Sequence, residues 1–133
     1  MATTKYPTKQ WIKERFDFWR EKMLLLHWDI DLCIEDDKSV DDDGNVGNAA
    51  AKPHYLMGTV TVARKQSKIV VDSVIVHELG HFITSDFLRK ARKIVDMTCS
   101  AELKKVMLST VSDMNETLVS HVANMLMEMY GEK

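Results

Sequence analysis

The chain has 133 residues, 45% of them apolar and 29% charged, with a formal net charge of −2. That suits one globular domain, residues 1–133, with a modest core; no run approaches the roughly 18 apolar residues of a membrane span, and the near-neutral balance makes nucleic acid an unlikely partner. The start, Met1-Ala2-Thr3-Thr4-Lys5, has no apolar segment of signal-peptide type, and the two cysteines, Cys33 and Cys99, lack C-x-x-C spacing, so a cytoplasmic protein with free thiols is expected.

In chain order, Thr8 is a fair N-cap, and Ile12, Phe16, Trp19, Met23 and Leu26 recur at alternating spacings of four and three, widened by Trp11, Phe18 and Leu25. This is an amphipathic helix over about residues 8–26 that backs the core. From Trp28 the period changes to two: Trp28, Ile30, Leu32 and Ile34 alternate with Asp29, Asp31, Cys33 and Glu35, the pattern of a half-buried strand. Asp36 to Pro53 reads as loop. Within it Ser39, Asp41, Asp43 and Gly44 resemble the front of a calcium loop, but Ala50 stands where the closing Glu belongs, and a solvated acidic loop is favoured. Tyr55–Arg64 and Ser67–Val71 are expected as two strands of a hairpin, turning at Arg64-Lys65-Gln66.

The second of these strands runs into His77-Glu78-Leu79-Gly80-His81, an H-E-x-x-H motif. Histidines four apart on a helix lie about 40° apart around it and can reach one ion. Zinc takes neutral imidazoles and keeps a position open to water; the ion acidifies the water, and Glu78 is placed to take the proton and pass it on. Asp72 or Ser73 is expected to cap this helix, with Val74, Ile75, Val76, Leu79, Phe82 and Ile83 burying its back. A kink or new start is expected at Thr84, Ser85 or Asp86, then helix again from Phe87 to Met97. Arg89, Lys90, Arg92 and Lys93 read as a solvated basic face, with no interleaved aromatics to support nucleic-acid binding.

The last helix starts at Thr98 or Ser100, runs to about Tyr130, and is expected to break near Ser112-Asp113. Leu103, Met107, Val111, Met114, Leu118, Val122, Met125 and Met129 form its apolar stripe, expected as core. A zinc site of this type needs a third protein ligand. The downstream candidates are His121 and the acids Asp86, Asp96, Glu102, Asp113, Glu116 and Glu128. Glu116 is the strongest: Val119, Ala123, Met127 and Tyr130 follow on its side of the helix as a second apolar stripe, and a carboxylate heading a buried face needs a partner such as a metal. His121 projects about 140° away from Glu116, so the two cannot share an ion from one straight helix.

With HELGH at 77–81 and Asn115-Glu116 followed by apolar Leu118 and Val119, the chain resembles the gluzincin metallopeptidases, specifically the small single-domain minigluzincin type of prokaryotes and phages. The resemblance covers most of the chain. It implies an α+β, zincin-like fold: an N-terminal backing helix, a small three-stranded sheet, the active-site helix and a C-terminal glutamate helix. It implies Zn²⁺ held by His77, His81 and Glu116, with Glu78 as general base and acid in the hydrolysis of a peptide or protein substrate. Where the family often has an acid four residues after the ligand glutamate, Ser120 stands here. The residue that steadies the tetrahedral intermediate is left open among His54, Tyr55, Tyr130 and His121. An extended substrate is expected to add to a strand edge near Met57–Ala63. The alternatives are a non-catalytic zinc protein of the same fold and a SprT-like protease acting near nucleic acid; the latter resembles the chain in HExxH but takes a third histidine soon after it, and none occurs between His81 and His121.

Overall fold

The computed structural model describes residues 6–131. They fold as an α+β arrangement of three long helices and a mixed three-stranded sheet. In chain order these are α1 (Lys9–Lys22), β1 (Asp29–Glu35), β2 (Gly47–Lys52), a 3₁₀ turn (Pro53–Tyr55), β3 (Met57–Ala63), α2 (Lys68–Thr98) and α3 (Ala101–Tyr130). No helix among the described residues is long and apolar enough to cross a membrane.

Helix α1 begins where expected: the Thr8 side chain accepts from the Trp11 N–H. It stops four residues earlier than the stripe suggested. Met23 ends it and Leu24 takes a left-handed φ of 59°, which swings the chain so that Leu25, not Leu26, enters the core. Strand β1 keeps the alternation read from the sequence, with Ile30 buried and Asp29, Asp31, Cys33 and Glu35 outward. The core gathers Ile12, Phe16 and Trp19 of α1, Trp28 and Ile30, Val60 and Val62 of β3, and Val71, Ile75, Val76, Leu79 and Phe82 of α2.

The sheet has three strands, but its third member is not the expected one. Ser67–Val71 is the first turn of α2: the Ser67 side chain accepts from the Val70 N–H, so the cap lies five residues before Asp72. The missing strand is β2, inside the segment read as loop. Its sequence, Gly-Asn-Ala-Ala-Ala-Lys, has no β-branched or aromatic residue and carries no strand signal. It forms because it pairs with β3, antiparallel and in register from Gly47↔Val62 to Lys52↔Met57. On the other side β3 pairs in parallel with β1, giving the order β1-β3-β2. The central strand is therefore β3, and among the described residues the free edges are β1 and β2, so an added strand cannot pair with Met57–Ala63 as expected.

Neither long helix breaks. Thr84 bonds back to the Gly80 and His81 carbonyls, and Ser85 to that of Phe82, which lets polar residues sit mid-helix. Helix α2 thus runs unbroken past the sheet for half its length and returns through Ser100, the N-cap of α3. Asp72 is not a cap but a buried anchor: Arg15 donates two hydrogen bonds of 2.8 Å to its carboxylate and the Trp19 ring N–H a third of 2.6 Å, fastening α1 across α2. The expected core stripe of α3 faces outward instead. Met114 is 67% exposed, and Leu103, Leu118, Met125 and Met129 are exposed too. The face that packs on α2 is the second stripe, where Val119 and Ala123 are buried and Met127 partly so, while Tyr130 at its end is 43% exposed.

Candidate metal centre and its cleft

Helix α2 presents His77, Glu78 and His81 on one flank, above the sheet. Antiparallel α3 brings Glu116 across from them. His77 Nε2 lies 3.3 Å from Glu116 Oε2, and His81 Nε2 lies 3.2 Å from Glu116 Oε1. The imidazoles meet edge to face, centroids 5.1 Å apart. One donor atom from each of the three residues falls within 4.8 Å of the others. A tetrahedral ion with ligands about 2.0–2.1 Å away has ligands about 3.3 Å from one another. The two nitrogen-to-oxygen separations are of that size, each imidazole facing its own oxygen of the carboxylate, and two imidazoles with one carboxylate are a borderline-soft set suited to zinc. The residues fit the ion that the motif implies.

The electrostatics agree with this use. Burial lowers the pKa of His81, with His77 adding to the effect and the Glu116 carboxylate opposing it; the imidazole is kept in the neutral form that binds metal. Burial foremost, then the charge of Glu116, raises Glu78 to about 7. A carboxyl tuned to that range can both accept and return a proton near neutrality.

Two glycines set the approach of the walls. A Cβ on Gly80 would stand 2.9 Å from Val119 Cγ1, so the absent side chain is what lets α3 come close enough for Glu116 to reach the histidines. A Cβ on Gly47 would stand 2.4 Å from Val74 Cγ1 and 3.1 Å from Glu78 Cγ, so β2 lies directly against the flank that carries Glu78.

These residues open onto a cleft of about 1000 Å³, walled by β2 on one side and by α2 and α3 on the other. Asn115 forms part of the wall; it is buried, and its Oδ1 has no hydrogen-bond partner. Glu116 itself is 58% exposed, so its carboxylate is open to the cleft rather than heading a buried face; the burial belongs to its neighbours Asn115 and Val119. His121 is exposed on the outer face of α3 and does not join the cluster. Of the residues weighed for steadying an intermediate, Tyr130 is remote: it stands about 21 Å along α3 from Glu116, where Lys22 lies over its ring. His54 and Tyr55 are exposed on the 3₁₀ turn, and Pro53 alone of that turn borders the cleft.

Two features of the cleft escaped the sequence reading. One is β2, for want of any strand signal. The other is Arg89, Arg92 and Lys93, read as a solvated face, which line the cleft beyond the histidines. Arg92, eleven residues after His81, lies about 20° from it around the helix, and that was the available signal; Arg89 and Lys93, at about 80° and 120°, stand further round. Compared with protein-family models, with curated proteins and with solved structures, the chain finds no match.

Proposed function

We propose that the protein is a zinc-dependent metallopeptidase of gluzincin-like type, with His77, His81 and Glu116 as the zinc ligands and Glu78 as general base and acid. The observation that carries this reading is the meeting of Glu116 with both histidines, at 3.3 and 3.2 Å, across two helices far apart in sequence. Bound zinc would supply Lewis-acid polarisation of a carbonyl and acidification of water. Glu78 takes the proton from the attacking water as the new carbon–oxygen bond forms, and returns it to the amide nitrogen as the carbon–nitrogen bond breaks. Burial of Glu78 supports that role, because it brings the carboxyl into the range where both transfers are easy.

An extended substrate is held by β2, whose outer edge has no strand partner among the described residues and which borders the cleft. Its free N–H and C=O groups are those that a peptide backbone pairs with by strand addition. Pairing there brings the substrate backbone alongside Glu78, against which Gly47 packs.

The test is metal content followed by turnover. Protein purified without added metal should carry roughly one zinc per chain, and chelation should lower its melting temperature by several degrees, since zinc binds the folded state better than the unfolded one. Zinc-loaded protein should cut members of a peptide library. Glu78→Gln should keep zinc and lose on the order of 10² or more in rate. Zinc without cleavage would leave a non-catalytic zinc protein; no zinc and no thermal response to it would remove the reading altogether.

A further inference from the structure

Beyond the histidines the cleft continues along the half of α2 that overhangs the sheet, and its lining there is cationic: Arg89, Arg92 and Lys93. These charges are poorly compensated. Lys93 has no acidic partner among the described residues, and Arg92 meets only the Ser112 hydroxyl, at 3.2 Å. Arg89 donates to Asp86 at 2.7 Å, but Asp86 also holds Lys90 at 2.9 Å, and the Nε of Arg89 is buried without a partner. The one acid lining this arm, Asp96, is taken by Lys104 at 3.0 Å. A chain with a net charge of −2 thus keeps poorly compensated cations at one end of this cleft.

We propose that this arm is a recognition subsite for acidic side chains, so that the substrates are peptides bearing Asp or Glu roughly three to five residues to the N-terminal side of the cleaved bond. This rests on the peptidase reading and adds to it the class of substrate. The distance follows from helix geometry: Arg89 and Lys93 lie eight and twelve residues past His81, about 12 and 18 Å at 1.5 Å per residue. An extended peptide covers that in about four to five residues, and the long Arg and Lys side chains reach back towards the centre.

The direction follows from β2. Gly47 packs on Val74 and Glu78, whereas Gly58, the partner of Ala51, lies against the Phe82 ring. Strand β2 therefore advances along α2 towards the cationic arm as it runs from Gly47 to Pro53. A strand added antiparallel to it, the slightly more stable pairing, has its N-terminal part at that arm. Nucleic acid is the poorer occupant: no Phe, Tyr or Trp ring lines the cleft for bases to stack on, the two imidazoles there are the candidate metal ligands, and Glu78 and Glu116 stand beside them.

The experiment uses fluorescent peptides of one length that carry Asp and Glu, Asn and Gln, or Lys at those positions. Binding is read by anisotropy on the zinc-loaded Glu78→Gln chain, and cleavage sites by mass spectrometry on the unmodified one. The acidic peptide should bind about tenfold tighter than the neutral one, the scale of two partly exposed charge pairs, and the advantage should shrink as salt is raised. Lys93→Arg should retain it. Arg92→Glu with Lys93→Glu should reverse it in favour of the Lys peptide, a gain that a misfolded chain would not show. Equal binding of acidic and neutral peptides, a preference that survives the double reversal, acidic residues mapping to the C-terminal side of the cut, or displacement by a single-stranded oligonucleotide at lower concentration than by acidic peptide would each overturn the proposal. Selective binding with no cleavage of any peptide would instead remove the peptidase reading and leave the acidic-peptide subsite standing.

Discussion

At Gly80 the usual expectation for replacing a helical glycine is reversed. In a helix interior Gly→Ala ordinarily stabilises by about 0.8–1.0 kcal/mol. Here the added Cβ would stand 2.9 Å from Val119 Cγ1, against an optimal carbon–carbon separation of about 3.5–4.0 Å. Val119 is buried and β-branched, so its side chain has little freedom to turn away. Helix α3 must retreat by roughly 0.6–1.1 Å to restore normal contact. Overpacking of this kind costs about 1–3 kcal/mol, so the net change in stability runs from near zero to about 2 kcal/mol unfavourable. The larger effect falls on the metal. Glu116 is one turn from Val119 on the same helix and moves with it, while a zinc site tolerates only about 0.2 Å in its ligand distances. Gly80→Ala should weaken zinc about tenfold to a hundredfold, the scale on which disturbed ligand support is felt. Competition with a chromophoric chelator measures this, and circular dichroism with a melting curve shows that the fold persists. A folded Gly80→Ala protein that holds zinc within about twofold of the parent would refute the claim that this glycine sets the reach of Glu116.

Glu116→Ala should strip the centre of tight zinc, whereas His121→Ala, on the outer face of α3, should leave zinc titration unchanged and stability within about 0.5 kcal/mol; the opposite pattern would put the third ligand at His121. Gly47→Ala forces a Cβ to 2.4 Å from Val74 Cγ1 and towards Glu78, so it should lower turnover while zinc content holds; a rate equal to the parent would mean that β2 does not set the position of Glu78. Asp72→Ala leaves the largely buried Arg15 guanidinium and the Trp19 N–H without their acceptor, which should cost about 3 kcal/mol in urea unfolding; a loss under about 1 kcal/mol would show that the pair is not what fastens α1.

The elements legible in the sequence are those whose signal is local and whose partner is the nearest core. The α1 stripe as far as Met23 and the alternation of β1 meet their expected faces, β3 falls within the expected strand, and Ile75, Val76, Leu79 and Phe82 bury the back of the H-E-x-x-H turn as expected, whereas Ile83, expected beside them, lies one residue further round α2 and is half exposed. Ser67–Val71 was misread because Ile69, Val70 and Val71 suit a strand and the start of a helix equally over so short a run. The difference lies in Ser67, whose hydroxyl caps the turn. Strand β2 was illegible for the opposite reason: its alanines, Asn48 and Gly47 have no preference of their own, and the ladder with β3 imposes the conformation. Smallness is what the place requires, since a Cβ at Gly47 would collide with α2.

Helix α3 shows where periodicity stops informing. Leu103, Met107, Val111, Met114, Leu118, Val122, Met125 and Met129 make the more regular of its two stripes, and regularity suggested core. Yet a helix that packs on one neighbour can bury only the face turned to it, and α2 already has the sheet and α1 on its other sides. Gly80 decides which face that is: it leaves a notch in α2 that Val119 fills, and Val119 brings Glu116 round to the histidines. The glycine inside the motif, the small and apolar residues following Glu116, and the third ligand are therefore one device. Seen this way, the second stripe pointed to the ligand because it marks the surface that must approach α2, and not because the carboxylate itself is buried. The same reasoning explains the cationic arm: once the helix runs unbroken past Ser85, Arg92 continues the flank of α2 that carries His81, and Arg89 and Lys93, one turn apart on a neighbouring face, line the same cleft beside it.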